Sequence, residues 1–318
     1  MARVTLQTIA DRLGVSRMTV SNAFSRPDQL SAELRERVLA TARELGYVGP
    51  DPAGRALARG TTGAVGVLLT DSLQYSFDDE VATAFMRAVV DELAPTGFAL
   101  TLLTSHERED VVPARDVAMD GALVYSCRPD SAARDWLLRR QLPVVFVDQD
   151  PVPGTTSINV DDPVATAVGH PQRQRMFGWL DALEAAGVRP TVVQAAANGD
   201  DEAIAAARMV LVAEPRPTAV LCFSDVLGLG VLTVAEELGL AVPDDLSVVG
   251  FDDSPVARRS RPPLTTVRQD VAAKGHLAAE ALLKAIDHRR SGTKAAVRHR
   301  TIPTELVVRR STGPARAE

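Results

Sequence analysis

Short apolar runs alternate with longer amphipathic stretches along most of this chain, and that alternation constrains its fold more than any other feature. The runs AVGVLL (64–69), FALTLL (98–103), GALVY (121–125), PVVFVD (143–148), TVVQA (191–195), AVLCF (219–223) and LSVVGF (246–251) read as strands. Helical patterns lie between them at 79–93, 175–186, 202–211 and 226–238. Strands this apolar are buried on both faces, and their alternation with helices places them in parallel sheets of an α/β fold. Ligands in such folds bind beyond the carboxyl ends of the strands. The residues to inspect are therefore those at 70–77, 125–128, 148–150, 224–225 and 252–253.

The first 60 residues follow a different pattern. Leu6, Ile9, Ala10 and Leu13 share one helical face behind Thr5, a good N-cap, and Gly14-Val15 breaks that helix. Ser16 caps a second helix from Arg17 to about Phe24, and Ser25–Asp28 is loop chemistry. Ser31 caps a third, in which Leu34, Val38, Leu39, Ala42 and Leu45 form the apolar stripe before Gly46. Two short helices joined by a tight glycine turn and braced by a third describe a helix-turn-helix unit; the pattern alone also fits a generic three-helix cap. Charge divides at the same place. Nine arginines face six acidic residues in 1–60, a balance of +3, whereas the whole chain carries −6 and the remainder −9. The overall acidity therefore does not exclude nucleic acid as a partner.

At these residues the chain resembles a known family. VTLQTIADRLGVSRMTVSNAF followed by LSAELRERVLATARELGY is similar to the headpiece of the LacI/GalR family of bacterial transcriptional regulators. The resemblance implies that the second helix enters the major groove of DNA, with Arg17, Met18 and Asn22 facing bases and Thr5, Ser16, Thr19 and Ser21 near phosphates. Residue chemistry agrees: Arg17 suits guanine, Asn22 suits adenine, and Met18 offers only apolar contact. Hydroxyls and N–H groups at a helix N-terminus suit phosphate oxygens. Many relatives carry arginine where Asn22 stands, so no operator sequence carries over. The segment 49–63 reads by composition as an interdomain linker with a helical patch at 53–59. By resemblance it is a hinge helix whose Leu57 wedges into the minor groove, and Gly54 weakens it enough to fold only on binding.

The rest of the chain is similar to the family's two-lobed sensor, itself like periplasmic sugar-binding proteins. SVVGFDDSPVARRSRPPLTTVRQD (247–270) is the most specific stretch. The resemblance gives Arg175 and Asp225 as the pair that grips an effector, with Asp71, Ser72 and Asp148 on the first-lobe side and Asp252 on the second. Tyr75, Phe77 and Phe223 are candidates to stack on a ring. An arginine fork beside a carboxylate holds adjacent sugar hydroxyls, one accepting and one donating.

The expected architecture is thus an all-α headpiece (1–48), a hinge (49–61) and an α/β two-lobed periplasmic-binding-protein-like domain with parallel sheets (62–318). Its first lobe takes 62–158 plus part of the C-terminal segment, and its second 159–262. The second lobe departs from the family. Asp162 reaches Gly169-His170 within a few residues, which implies a missing unit on the order of 30 residues, including an inner strand. The second lobe is therefore expected to be incomplete.

Function follows as a DNA-binding regulator, a repressor acting as a homodimer on a palindromic operator and tuned by a small effector, most simply a sugar. The alternative is a regulator that has lost its effector response. An enzyme is not expected. His106, His170, His276, His288 and His299 lack metal-ligand spacing, and there is neither a Gly-x-Ser-x-Gly nor a phosphate loop. No cofactor or metal is implied. A free sugar-binding protein would need export, and the N-terminus MARVTLQTIADRLGV has no signal segment. Two cysteines, Cys127 and Cys222, and the lack of an apolar run near ~20 residues point to the cytoplasm and away from a membrane. The tail RRSTGPARAE has no heptads, so no tetramerising helix is expected.

Overall fold

The computed structural model describes residues 4–69, 76–77, 79–104, 112–127, 131–161, 171–195 and 198–314. The chain divides into two compact units, 1–63 and 64–318.

The first unit is helical: α1 (Leu6–Leu13), α2 (Arg17–Ser25), α3 (Ala32–Glu44) and α4 (Pro52–Arg59), with a 3-10 turn at Pro27–Gln29. Thr5, Ser16 and Ser31 cap the first three, each accepting a hydrogen bond from the backbone N–H three residues on. Gly14 ends α1 at φ +65°, a left-handed conformation that sends the chain sharply into α2. Ile9, Ala10, Val20, Ala23, Val38 and Ala42 form a closed core. Phe24 meets Tyr47 edge to face at 5.7 Å. Asp51 and Pro52 start α4 and Gly60 stops it, so the helix is well capped despite the internal Gly54.

The second unit holds two sheets. The first has the order β2-β1-β3-β4-β5-β9, all parallel: β1 (Ala64–Leu69), β2 (Ala99–Leu103), β3 (Gly121–Tyr125), β4 (Val144–Val147), β5 (Thr156–Val160) and β9 (His299–Ile302). Helices α5 (Glu80–Leu93), α6 (Pro113–Asp116) and α7 (Ala132–Arg139) follow β1, β2 and β3. One face buries Val65, Val67, Leu69, Phe85, Val145 and Leu282, and the other buries Leu68, Val124, Leu137 and Phe146.

The second sheet has the order β10-β8-β7-β6, with β6 (Ala219–Leu221), β7 (Ser247–Asp252), β8 (Thr265–Arg268) and β10 (Glu305–Val307). Only β10 runs antiparallel. Helices α8 (Pro171–Ala185), α9 (Asp200–Leu211), α10 (Asp225–Glu237) and α11 (Pro255–Arg259) belong to this half. The chain then returns through α12 (Val271–Arg290), whose Ala278, Leu282 and Ile286 pack into the first sheet's core. A side chain at Gly275 would come 2.6 Å from Ala88 Cβ and 2.8 Å from the Phe85 carbonyl, so glycine there lets α12 lie close on α5. With β9 in one sheet and β10 in the other, the C-terminal segment crosses between lobes again.

One expected strand is absent. Residues 191–195 form no strand, and Val192 is exposed. Among the described residues β6 is the last strand of its sheet, and residues 191–195 pair with neither it nor any other strand. Leu221 on that edge is correspondingly half exposed. The segment around Gly169-His170, where the missing unit is expected, lies outside the described residues.

Candidate DNA interface and effector cleft

Helix α2 buries Val20 and Ala23 and turns its other faces outward, leaving Met18 68% exposed and Arg17 and Ser16 in solvent. A methionine so exposed contributes little to the packing of its own unit, which leaves it a candidate contact residue. Ser16 Oγ accepts from Thr19 N at 3.0 Å and lies 2.8 Å from Thr19 Oγ1, so both hydroxyls sit at the helix N-terminus where an anion is favoured. The Ser21 carbonyl accepts from Ser25 Oγ, and Thr5 forms a capping box with Thr8 at the start of α1. Asn22 donates from Nδ2 to Gln29 Oε1 at 3.0 Å. Gln29 lies in a polar turn that gives no sequence reason to link it to α2, and the 3-10 turn at Pro27–Gln29 places it against Asn22. Leu57 is 86% exposed on α4, and the guanidinium of Arg59 donates to the Ser25 carbonyl at 3.1 Å, which fixes α4 to the end of α2.

In the second unit the expected cleft residues divide into three groups. Asp71, Ser72 and Tyr75 lie outside the described residues, as does the side chain of Arg175 on α8. Phe77 is exposed, and Phe223 packs on Trp179 of α8 with ring centroids 5.1 Å apart. The carboxylates Asp148, Asp225 and Asp252 each stand at a strand end or helix start, as expected of this fold, and each is engaged. Asp225 is 1% exposed. It accepts from Thr266 Oγ1 at 2.5 Å and from the Ser254 backbone N–H at 2.7 Å, which fastens α10 to the turn after β7. Burial raises its pKa, and the bonds from Thr266 and Ser254 oppose that shift. Gly250 makes this seat: a Cβ there would collide with Asp225 Oδ1 and lie 2.8 Å from Leu264.

Asp252 and Asp253 both take left-handed conformations, φ +106° and +53°, which turn the chain sharply after β7. Asp252 accepts from Gln269 Nε2 at 2.5 Å. Asp253, missed from sequence as more than turn chemistry, is buried and accepts from Arg268 Nε at 2.7 Å and from Arg309, with Arg258 at 3.7 Å. Burial pushes its carboxyl up, yet the hydrogen bonds from Arg309 and Arg268 win and hold it below the usual range. Asp148, at φ +52° after β4, accepts from Lys274 Nζ at 2.5 Å. Cys222 is buried, and that burial pushes its thiol up to about 12, so it is not a reactive nucleophile at neutral pH.

No group of three or more His, Cys, Asp or Glu among the described residues is placed to hold a metal ion. No described helix is long and apolar enough to cross a membrane.

Residues 5–49 match the model of bacterial regulatory proteins of the lacI family, and residues 164–312 match that of a periplasmic binding protein-like domain. An HTH-type transcriptional regulator of Mycobacterium tuberculosis is 37% identical over 358 aligned positions, covering 98% of both chains. The HTH-type transcriptional regulator IpsA of Corynebacterium glutamicum is 35% identical, covering 89% of this chain and 91% of its own. Among solved structures, the transcriptional regulator CelR in complex with cellobiose superposes with a TM-score of 0.68 at 27% identity, over 97% of this chain and 100% of that one. The lac repressor dimer bound to operator and the anti-inducer ONPF shares the fold, with a TM-score of 0.77 at 23% identity, over 98% and 99%.

Proposed function

This chain belongs to the lacI family of bacterial regulatory proteins, and from that premise we propose that it is a cytoplasmic repressor that binds a palindromic operator as a homodimer and answers to a small polyhydroxylated effector. It is a DNA-binding transcriptional regulator. The observation that carries the finer reading is the outward face of α2, where Arg17, Met18 and Asn22 stand above a buried Val20–Ala23 face. In this reading Arg17 and Asn22 read bases, Met18 contacts a thymine methyl or base edge, and Thr5, Ser16, Thr19 and Ser21 locate the phosphates. Leu57, exposed on a capped α4, is the minor-groove wedge. A two-fold protein demands a two-fold site, hence the palindrome. No enzymatic role is assigned.

The effector is assigned to the ends of the strands in the second unit, with Asp148 and Asp252 in contact with it or next to it. Arg175, Asp71, Ser72, Phe77 and Phe223 remain candidates for its lining. CelR with cellobiose supports a sugar as the ligand class. Asp225, with its oxygens taken by Thr266 and Ser254, holds the second lobe's site in shape.

A second reading, in which DNA binding persists without an effector response, is favoured by a specific observation. Among the described residues the second sheet ends at β6, and residues 191–195 form no strand. The 358 positions aligned with the Mycobacterium tuberculosis relative against a chain of 318 residues leave at least 40 positions opposite gaps in this chain, in keeping with a lost unit. Operator selection with the purified chain, followed by release assays against sugars and nucleosides, separates the readings. Selected DNA released by a ligand supports the first, and selected DNA with no response to any ligand supports the second. Failure to select any DNA site contradicts both.

A further inference from the structure

Lys274 is the most deeply buried cation in the described structure, with its side chain 0% exposed. It sits on the first turns of α12, where sequence pattern alone offers no reason to bury a charge. Its ammonium donates to Asp148 Oδ2 at 2.5 Å and to Gln269 Oε1 at 2.6 Å. Gln269 passes the chain of hydrogen bonds on to Asp252 at the end of β7. A continuous polar line, Asp148–Lys274–Gln269–Asp252, therefore joins the carboxyl end of β4 in one sheet to that of β7 in the other, in the region where this fold takes its ligand.

The line is incomplete at one atom. Asp148 is nine-tenths buried, and its second oxygen, Oδ1, is buried with no hydrogen-bond partner. A buried carboxylate oxygen left without a donor is costly, and such orphans mark a place where a donor arrives from outside the chain. Lys274 carries three N–H groups, and two are engaged by Asp148 and Gln269. An acceptor oxygen and an ammonium N–H thus lie side by side, held by one ion pair.

We infer that Lys274 is a specificity-determining residue of the effector site: with Asp148 it reads a hydroxyl of a neutral polyol, and the pair excludes phosphorylated and carboxylated sugars from that position. A hydroxyl donates to Asp148 Oδ1 and accepts from Lys274 Nζ through one oxygen. A carboxylate or phosphate brings only acceptors to Oδ1 and meets like charge there. An ammonium group meets the lysine. Because the lysine's charge is already matched by Asp148, the pair presents no net charge to attract an anion. In this structure both groups are largely shut from solvent, so entry of the ligand requires the packing around the Asp148–Lys274 pair to open.

The assignment rests on the regulator reading for its location, and its test separates the two. Full-length protein is titrated calorimetrically with neutral hexoses, pentoses, alditols and cellobiose, and with glucose 6-phosphate and gluconate as anionic counterparts. A neutral polyol is expected to bind at least roughly tenfold more tightly than its anionic counterpart. Lys274→Met and Asp148→Asn are each expected to weaken it roughly ten- to a hundredfold. The double variant Lys274→Met/Asp148→Asn leaves no unpaired charge buried, so it keeps the test readable where a single variant unfolds. Equal affinity in the folded double variant overturns the assignment, as does preference for the anionic sugars or no binding anywhere in the panel. Operator binding is measured on the same proteins. Variants that lose the polyol and keep DNA support the assignment, and a protein that binds the polyol through this pair but selects no DNA overturns the regulator reading alone.

Discussion

The side-chain amide of Asn22 donates to Gln29 Oε1 at 3.0 Å, tying the exposed face of α2 to the 3-10 turn that follows it. Asn22 is thereby presented in one orientation before any DNA arrives. In the proposed reading that amide fork pairs with adenine, and Gln29 would then act on base reading through Asn22. Gln29→Ala is expected to blur the operator preference at the position read by Asn22 without abolishing binding. Asn22→Ala is expected to remove that preference. Sequencing of selected DNA pools from the two variants checks this.

Arg17→Ala is expected to cost about 1–3 kcal/mol on the selected operator and to relax preference at one base pair in each half-site. Because Arg17 is exposed and at the start of α2, the thermal melt of the protein should not change. A selected site identical to that of the unmodified protein would discredit its role.

Leu57 is 86% exposed, so Leu57→Ala removes almost nothing from the folded chain. If Leu57 wedges between base steps, the variant loses operator affinity by roughly tenfold or more and bends DNA less, since the cost of unstacking is no longer offset. Binding isotherms and gel-shift bending assays read both effects, and a variant with unchanged affinity speaks against the wedge.

Gly250→Ala drives a methyl group against Asp225 Oδ1 and Leu264. Overpacking of this kind typically costs about 1–3 kcal/mol. Urea unfolding of the second unit should register that loss while the headpiece still binds operator DNA.

Asp253 gives the acid response of the second lobe a sign. Arg309 and Arg268 outweigh burial and hold its folded pKa below the ordinary 3.8. The stabilisation is therefore complete above that value and lost as pH falls through the depressed folded pKa. Asp225 works the other way: burial raises its pKa, so its contribution to stability weakens as pH rises from the ordinary value through the raised one. Asp253→Asn should lower stability at neutral pH and flatten the acid limb of the stability curve. Chemical denaturation at a series of pH values measures it, and an unchanged acid limb counts against the three-arginine clamp.

The headpiece was readable because its signals are local. Thr5, Ser16 and Ser31 cap helices within three residues of themselves, and Gly14 ends one by its own conformation. The strands β1, β3 and β7 were readable for a similar reason, each being an apolar run buried on both faces. What escaped was non-local. Strands β9 and β10 are four and three residues long and mostly exposed, so neither carries an apolar pattern. The run at 191–195 has strand composition but pairs with no strand among the described residues. Lys274 looks like a solvated helix residue until Asp148, 126 positions earlier, is seen beside it.

In the proposed function α2 reads a specific operator. Selection of double-stranded DNA from a random pool by the purified full-length chain tests it most directly. The expected result is enrichment of a palindrome whose half-sites change at one position when Arg17 is replaced by alanine. Binding that enriches no sequence over the starting pool would contradict it.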